Sequence, residues 1–207
     1  MIRLQPRLEG DRPLRVLALG AHADDVEIGC GGALLQLAPI ELHYVVFAAS
    51  GARADEARAS AAALGAASVE IHGFRDSYFP WVGAELKDAF EALKRRLEPD
   101  VIFTHHRTDL HQDHGQIAQL TWNTWRNHLI LEYEIPKYEG ELAAPNLYLP
   151  LSDEVVRRKV DHVLTGFPSQ ASRAWWRAST FEALLRLRGV ECNSPWAEAF
   201  TVRKVVW

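Results

Sequence analysis

The capacity to build a disulfide scaffold is missing from this chain, whose 207 residues include only two cysteines, Cys30 and Cys192. Two thiols cannot staple a domain of this size, and their scarcity points to a reducing compartment. No apolar run approaches the roughly 18 residues of a membrane-spanning helix, and the opening "MIRLQPRLEGDRPLR" lacks the apolar centre of a secretory leader. The expectation is a cytoplasmic protein with no stable membrane insertion. Basic tracts are scarce: "KRRLEP" stands alone at the end of a predicted helix, and the net charge is −4. A solvated helix face accounts for it, and a nucleic-acid partner is not indicated. Internal repeats, low-complexity tracts and long linkers are absent too. At 48% hydrophobic and 24% charged residues, the composition is that of one globular domain over 1–207.

Short apolar runs alternate with amphipathic stretches. Residues 14–20, 42–50, 68–74 and 100–106 are rich in Val, Ile and Phe and read as strands. Between them, 31–38, 54–66 and 85–99 have helical spacing, with Gly65 suited to a C-terminal cap and Pro99 closing the third. This rhythm predicts βαβ units: an α/β, Rossmann-like three-layer sandwich with a mostly parallel sheet. In the second half, 115–130, 153–167 and 172–189 read as helices and 146–151 and 199–207 as strands. The segment 132–146, rich in Pro, Gly and Glu, reads as a surface loop or lip.

Two polar clusters follow predicted strand ends. "GAHADDVEIGCGG" (Gly20 to Gly32) follows the first strand, and "HHRTDLHQDHG" (His105 to Gly115) follows the strand at 100–106. Ligand sites of doubly wound sheets form at the carboxyl ends of strands, so the two clusters converge on one edge. Neutral imidazoles and carboxylates brought together suit a divalent transition metal, with Zn²⁺ the default for mixed His/Asp ligation. A cation there compensates the crowded carboxylates, and Gly29, Gly31 and Gly32 let the helix start pack close behind them. His22 and Asp25 can face the same way, and one histidine of the second cluster would complete a three-ligand set.

His22-Ala23-Asp24-Asp25 followed by Gly29-Cys30-Gly31-Gly32 resembles the H-P-D-D-x-x-x-G-x-G-G signature of the LmbE/PIG-L family of zinc-dependent N-deacetylases. His111-Gln112-Asp113-His114 resembles the family's second signature, H-P-D-H, and "RADEARASAAALG" (Arg53 to Gly65) resembles its intervening R-x-x-E-x-x-x-A helix. Ala23 and Gln112 depart from the prolines often found there; both shape the loop and donate no ligand. The resemblance implies one zinc ion per chain on His22, Asp25 and His114, with Asp24 as general base, His111 stabilising the oxyanion and Asp113 orienting a protonated His111. It implies removal of an N-acetyl group from an amino sugar or amino-sugar conjugate. It leaves open an amide on a thiol or another small acceptor.

Other residues carry more than one reading. His105 and His106 lie outside the signatures and read as hydrogen-bonded loop histidines. Asp109 either supports a ligand from behind or contacts substrate. Arg53 either reaches a substrate hydroxyl or phosphate or pairs with Glu56. Tyr78 and Trp81, in "DSYFPW", are candidates for a sugar-stacking wall, while Trp122, Trp125, Trp175 and Trp176 read as core. Glu27 compensates a helix N-terminus and Cys30 packs as a small hydrophobe. Glu198, in "WAEAF", matches a recurring family position without an evident physical role. Seven tryptophans and the terminal "VRKVVW" offer material for a homo-oligomeric contact.

Three rival functions fit these residues less well. A dinucleotide site would need glycine where Leu34 stands and an acidic residue after the second strand. A metallophosphoesterase would need bridging ligands for two metals. A non-catalytic metal-binding module would have no use for Asp24 as a second, unligated carboxylate.

Overall fold

The computed structural model describes residues 12–206. The first eleven residues and Trp207, the last residue of the expected final strand, lie outside the described residues. Seven strands form one sheet: β1 (Leu14–His22), β2 (Ile40–Ala48), β3 (Ser68–Ile71), β4 (Val101–His105), β5 (Leu129–Tyr133), β6 (Leu147–Pro150) and β7 (Ala197–Thr201). Their order is β3-β2-β1-β4-β5-β7-β6. The first five pair in parallel, and β7 pairs antiparallel with both β5 and β6.

Sequence composition explains why β1 is central. Val16 to Ala21 are all buried, a continuous apolar run of the kind that a parallel strand covered on both faces requires. Helices cover both faces. Val26 and Ile28 of α1 (Asp25–Leu37), Ala57 and Ala61 of α2 (Gly51–Ala63), Val160 of α5 (Asp153–Gly166) and Phe181 of α6 (Ala178–Cys192) share one core with alternate strand residues. Leu86, Phe90 and Leu93 of α3 (Gly83–Arg96) and Ile117 of α4 (Gln112–Thr124) build the other. The three-layer, mostly parallel sandwich is therefore present. No helix among the described residues is long and apolar enough to cross a membrane.

Several boundaries differ from the sequence reading. The first helix starts at Asp25, not residue 31, because burial overrides the poor helix propensity of three glycines. A Cβ at Gly29 would fall 2.2 Å from the Tyr133 ring, and one at Gly32 would fall 2.7 Å from Leu151. Gly31 is not so confined, its nearest neighbour being Lys159 at 3.7 Å. The helix expected over 115–130 stops at Thr124, and 129–130 open β5 beside β4. Glu132 and Tyr133, expected in a loop, are buried in that strand. Residues 172–177 precede α6 without joining it, and β7 ends at Thr201.

Glu198 acquires a role. Its buried carboxylate accepts from the Gly32 and Ala33 amides at 2.7 and 2.6 Å and pairs with buried Lys159 at 2.5 Å. Lys159 also donates to the Ile28 carbonyl at 2.7 Å. Ile28 and Gly32 are natural i,i+4 partners, so the ion pair sits against the middle of α1 and joins it to α5 and β7. Removing one partner of such a buried pair strands the other charge, at about 3–5 kcal/mol. Glu198→Ala is expected to lose about that much stability in urea unfolding, whereas the exposed-surface pair variant Asp55→Ala should change it by less than about 1 kcal/mol.

Candidate metal centre and active site

The chain builds outward from β1 through β2 to β3, then returns to the opposite side of β1 to lay down β4 and β5. The switch point lies between β1 and β4, where a crevice opens at the strands' carboxyl ends. The passage from β1 into α1 carries His22, Asp24 and Asp25 there, and the loop after β4 together with the first turn of α4 carries Asp109, His111, Asp113 and His114.

Three donor atoms meet in this crevice. His22 Nδ1 lies 3.3 Å from His114 Nε2, and each lies 3.6 Å from Asp25 Oδ2. Ligands about 2.0–2.1 Å from a tetrahedral zinc ion are themselves about 3.3–3.4 Å apart, so the triangle has the size of one face of such a site. The set fits the metal in tautomer as well. His114 Nδ1 is paired with Asp109 Oδ2 at 3.1 Å, leaving Nε2 with its lone pair. His22 Nε2 is paired with Asp113 Oδ2 at 3.2 Å and Asp76 Oδ1 at 3.1 Å, leaving Nδ1 with its own. Carboxylates behind ligating histidines fix ring orientation and raise ligand basicity.

Asp24 stands beside the triangle and outside it. It is the N-cap of α1 in a left-handed conformation, φ 95°, which is costly for a residue with a side chain. Its carboxylate is 3.1 Å from the Arg53 guanidinium, which also donates to the Ala23 carbonyl. Burial, reinforced by neighbouring Asp25, pushes the Asp24 carboxyl well above the usual range. Burial works in the same direction on Asp25, yet His114 and His105 beside it hold that carboxyl well below the range. Burial opposes a charge on His22, but Asp113, Asp25 and Asp76 raise its proton affinity well above that of an ordinary imidazole.

Asp113 differs from expectation. Its carboxylate accepts from the backbone amides of Ser77 at 2.6 Å and Phe79 at 3.1 Å and faces His22, whereas the sequence reading has it orienting His111. His111 is the N-cap of α4, its Nδ1 accepting from the Asp113 amide at 3.3 Å. Burial, with His114 and His22 close by, lowers its proton affinity. With Nδ1 accepting from that amide, Nε2 is the ring nitrogen left to donate, whereas the sequence reading has the whole ring protonated.

Arg53 does not pair with Glu56, which is taken by the amide and hydroxyl of Ser169 at 2.9 and 2.6 Å. Asp109 supports His114 and also accepts from the His111 amide at 2.8 Å. His105 is no loop residue: it ends β4 fully buried, its Nε2 3.1 Å from Asp25 Oδ2 and 3.0 Å from the Ala21 amide nitrogen. His106 lies in the loop, bonded to the Thr108 hydroxyl at 2.9 Å. Glu27 is buried and accepts from Tyr44 and Ser60 at 3.0 and 2.5 Å; burial pushes it up to about 7. It joins that network from the first turn of α1, where the sequence reading also places it. Cys30 packs as expected, in the core.

The segment after β3 forms one wall of the crevice. Asp113 and Gln112 clamp it through the Ser77 and Phe79 amides and the Ser77 carbonyl, and it presents Tyr78 and Trp81, 41% and 69% exposed. Their ring centroids are 5.7 Å apart, and the Arg75 guanidinium lies 3.6 Å over Tyr78. Trp125 and Trp176 are core, while Trp122 and Trp175 are partly buried against the cores. Sequence reasoning missed Asp76 and Lys137. Asp76 stood directly beside the aromatic segment, but a lone aspartate there carried no spacing signal.

Residues 17–125 match the family model described as PIG-L, GlcNAc-PI de-N-acetylase. The chain belongs to this family of deacetylases. It is 32% identical over 139 residues to the uncharacterized deacetylase YaiS of Escherichia coli (strain K12), an alignment covering 58% of this chain and 74% of that protein. The fold is similar to the crystal structure of the conserved protein TT1542 from Thermus thermophilus, with a TM-score of 0.76, 21% identity and coverage of 94% and 97% of the two chains. It is similar also to N,N'-diacetylchitobiose deacetylase from Pyrococcus horikoshii, with a TM-score of 0.74, 19% identity and coverage of 91% and 83%.

Because His22 has a raised proton affinity in this arrangement, metal uptake at neutral pH must displace a proton from it. Affinity for a divalent metal at this site is expected to rise with pH, by about tenfold per pH unit while that one proton is being displaced. Calorimetric titrations in buffers of different ionisation enthalpy measure the proton release directly; a buffer-independent enthalpy would contradict the assignment.

Proposed function

We propose that this protein is a zinc-dependent hydrolase that removes an N-acetyl group from an amino sugar or amino-sugar conjugate. The reading is carried by one juxtaposition: a three-donor triangle sized for a single zinc ion, with a buried, unligated carboxylate, Asp24, beside it. His22, Asp25 and His114 hold the ion, one per chain. Zinc bound there supplies Lewis acidity toward water and toward the amide oxygen.

The chain's own residues supply the rest. Asp24, with its raised proton affinity, takes the proton from the attacking water and later delivers it to the departing amine, as a general acid–base near its working pH does. Arg53 keeps the Asp24 carboxylate turned to the site. His111 donates from Nε2 to the oxygen on which negative charge develops, and its Nδ1 is fixed by the Asp113 amide. Asp113 fixes the far side of His22 and ties the aromatic wall to the centre. Tyr78 and Trp81 offer faces against which the apolar side of a sugar ring stacks.

The sugar reading is supported by family membership and by the named substrate of the chitobiose deacetylase that shares this fold. Amine release from N-acetylglucosamine, N,N'-diacetylchitobiose and a non-sugar acetamide, with metal content measured in parallel, tests it. Asp24→Asn is expected to retain one zinc per chain and lose about 10²–10⁴ in kcat. His111→Ala is expected to lose about 10²–10³ with the same zinc content. Two metals per chain, or Asp24→Asn at wild-type rate, would falsify the proposal.

A further inference from the structure

The lip, residues 134–146, rests on two supports. At its base, Glu134 forms a buried, two-pronged pair with Arg188, Nε to Oε1 at 2.6 Å and Nη2 to Oε2 at 2.7 Å, and accepts from the Ala143 amide at 3.2 Å. Arg188 also donates to the Ala143 carbonyl at 3.0 Å. The second support is Lys137. Its ammonium reaches Asp109 Oδ2 at 2.9 Å, Glu141 Oε1 at 2.5 Å and the Ile135 carbonyl at 3.3 Å, which engages all three of its donors. Between the supports lies a cavity of about 150 Å³ lined by Asp109, Glu134, Lys137 and Glu141 among others.

Asp109 is the junction. Its side chain is 2% exposed, and Oδ2 is shared between His114 Nδ1 and the Lys137 ammonium, while Oδ1 accepts from the His111 amide. A cation beside a carboxylate so enclosed adds a full charge to the N–H dipoles that an imidazole and a backbone amide supply. Lys137 is only slightly exposed, so its pairing with Asp109 is much less screened by solvent than a surface ion pair.

We infer that Lys137 is a positioning residue that holds Asp109 against His114 and so makes the lip's seating and the metal ligand's orientation one event. The inference rests on the zinc-centre reading above. It goes beyond that reading by placing a residue of the lip in control of the site. Coupling of this kind is reciprocal, so the metal must also steady the lip.

Zinc affinity by chelator competition, with hydrogen exchange of the amides of 137–143 measured with and without zinc, tests the inference. Lys137→Met is expected to weaken zinc about tenfold, the lower range for loss of a ligand's supporting partner, and to abolish zinc-induced protection of the lip. Lys137→Arg, which keeps the cation, is expected to recover most of both. Unchanged exchange in β1 and β4 certifies the fold of each variant. Zinc affinity of Lys137→Met within twofold of the unmodified protein overturns the inference, as does equal loss in Lys137→Arg. Failure of the unmodified protein to take up zinc overturns the zinc-centre reading, and this inference with it.

Discussion

Two imidazole nitrogens 3.3 Å apart, each 3.6 Å from the same carboxylate oxygen, form an arrangement that the rest of the fold must hold in place. Such a triangle keeps its shape as a proton or a metal comes and goes only if each ring is fixed from behind. Here each one is. His22 leans on Asp113 and Asp76, His114 on Asp109, and Asp25 accepts from the His22 amide at 2.7 Å. The backing groups are anchored in turn: Asp113 by two backbone amides, and Asp109 by an amide and the Lys137 ammonium. Most of these tiers are short contacts between elements distant in sequence, which explains why the site lies at the sheet's switch point, where β1 and β4 bring their loops together.

The same constraint accounts for features far from the donors. α1 presents Asp25 on its first turn, so its position must be set to within about 0.5 Å. Gly29 allows that helix to lie against the Tyr133 ring, and the Tyr133 hydroxyl donates to the Leu19 carbonyl at 2.6 Å. Gly32 admits the Glu198 carboxylate, which with Lys159 pins the middle of the helix. Glycine is unfavourable in a helix interior by about 1 kcal/mol relative to alanine, yet a Cβ at either position would collide with a side chain already in contact.

Much of this was legible in the sequence. Strand ends are marked by the change from apolar runs to polar clusters, and two signatures with fixed spacing carry the three donors. The parallel half was readable because each βαβ unit repeats the same pattern. The antiparallel edge was less so: β6 and β7 are short, and β5 looked helical up to Ile130 because a short apolar run has no period of its own. Supporting groups were the least legible. Glu198 reaches α1 across 165 residues of sequence and Lys137 reaches Asp109 across 28, and neither leaves a local spacing signal. The partner of the Asp113 carboxylate was hard to read for a related reason. Asp113 is close in sequence, but α4 turns its carboxylate toward Ser77 and Phe79.

Asp24 and Asp25 are chemically identical neighbours that the fold drives apart. Both are buried, which by itself raises the proton affinity of each. Asp25 lies among His22, His105 and His114 and is held as a carboxylate, the state that a metal ligand needs. Burial and the negative charges of Asp25 and Glu27 outweigh Arg53 and His22 at Asp24, and its affinity for a proton rises. Adjacent acids whose environments push them in opposite directions divide their tasks, one holding charge and one moving protons. Left-handed backbone at Asp24 sets that division geometrically, because it turns one carboxylate out of the ligand triangle while leaving the next inside it. Left-handed backbone at a single residue thus accompanies the separation of two neighbouring carboxyl groups into one that favours the charged form and one that favours the proton.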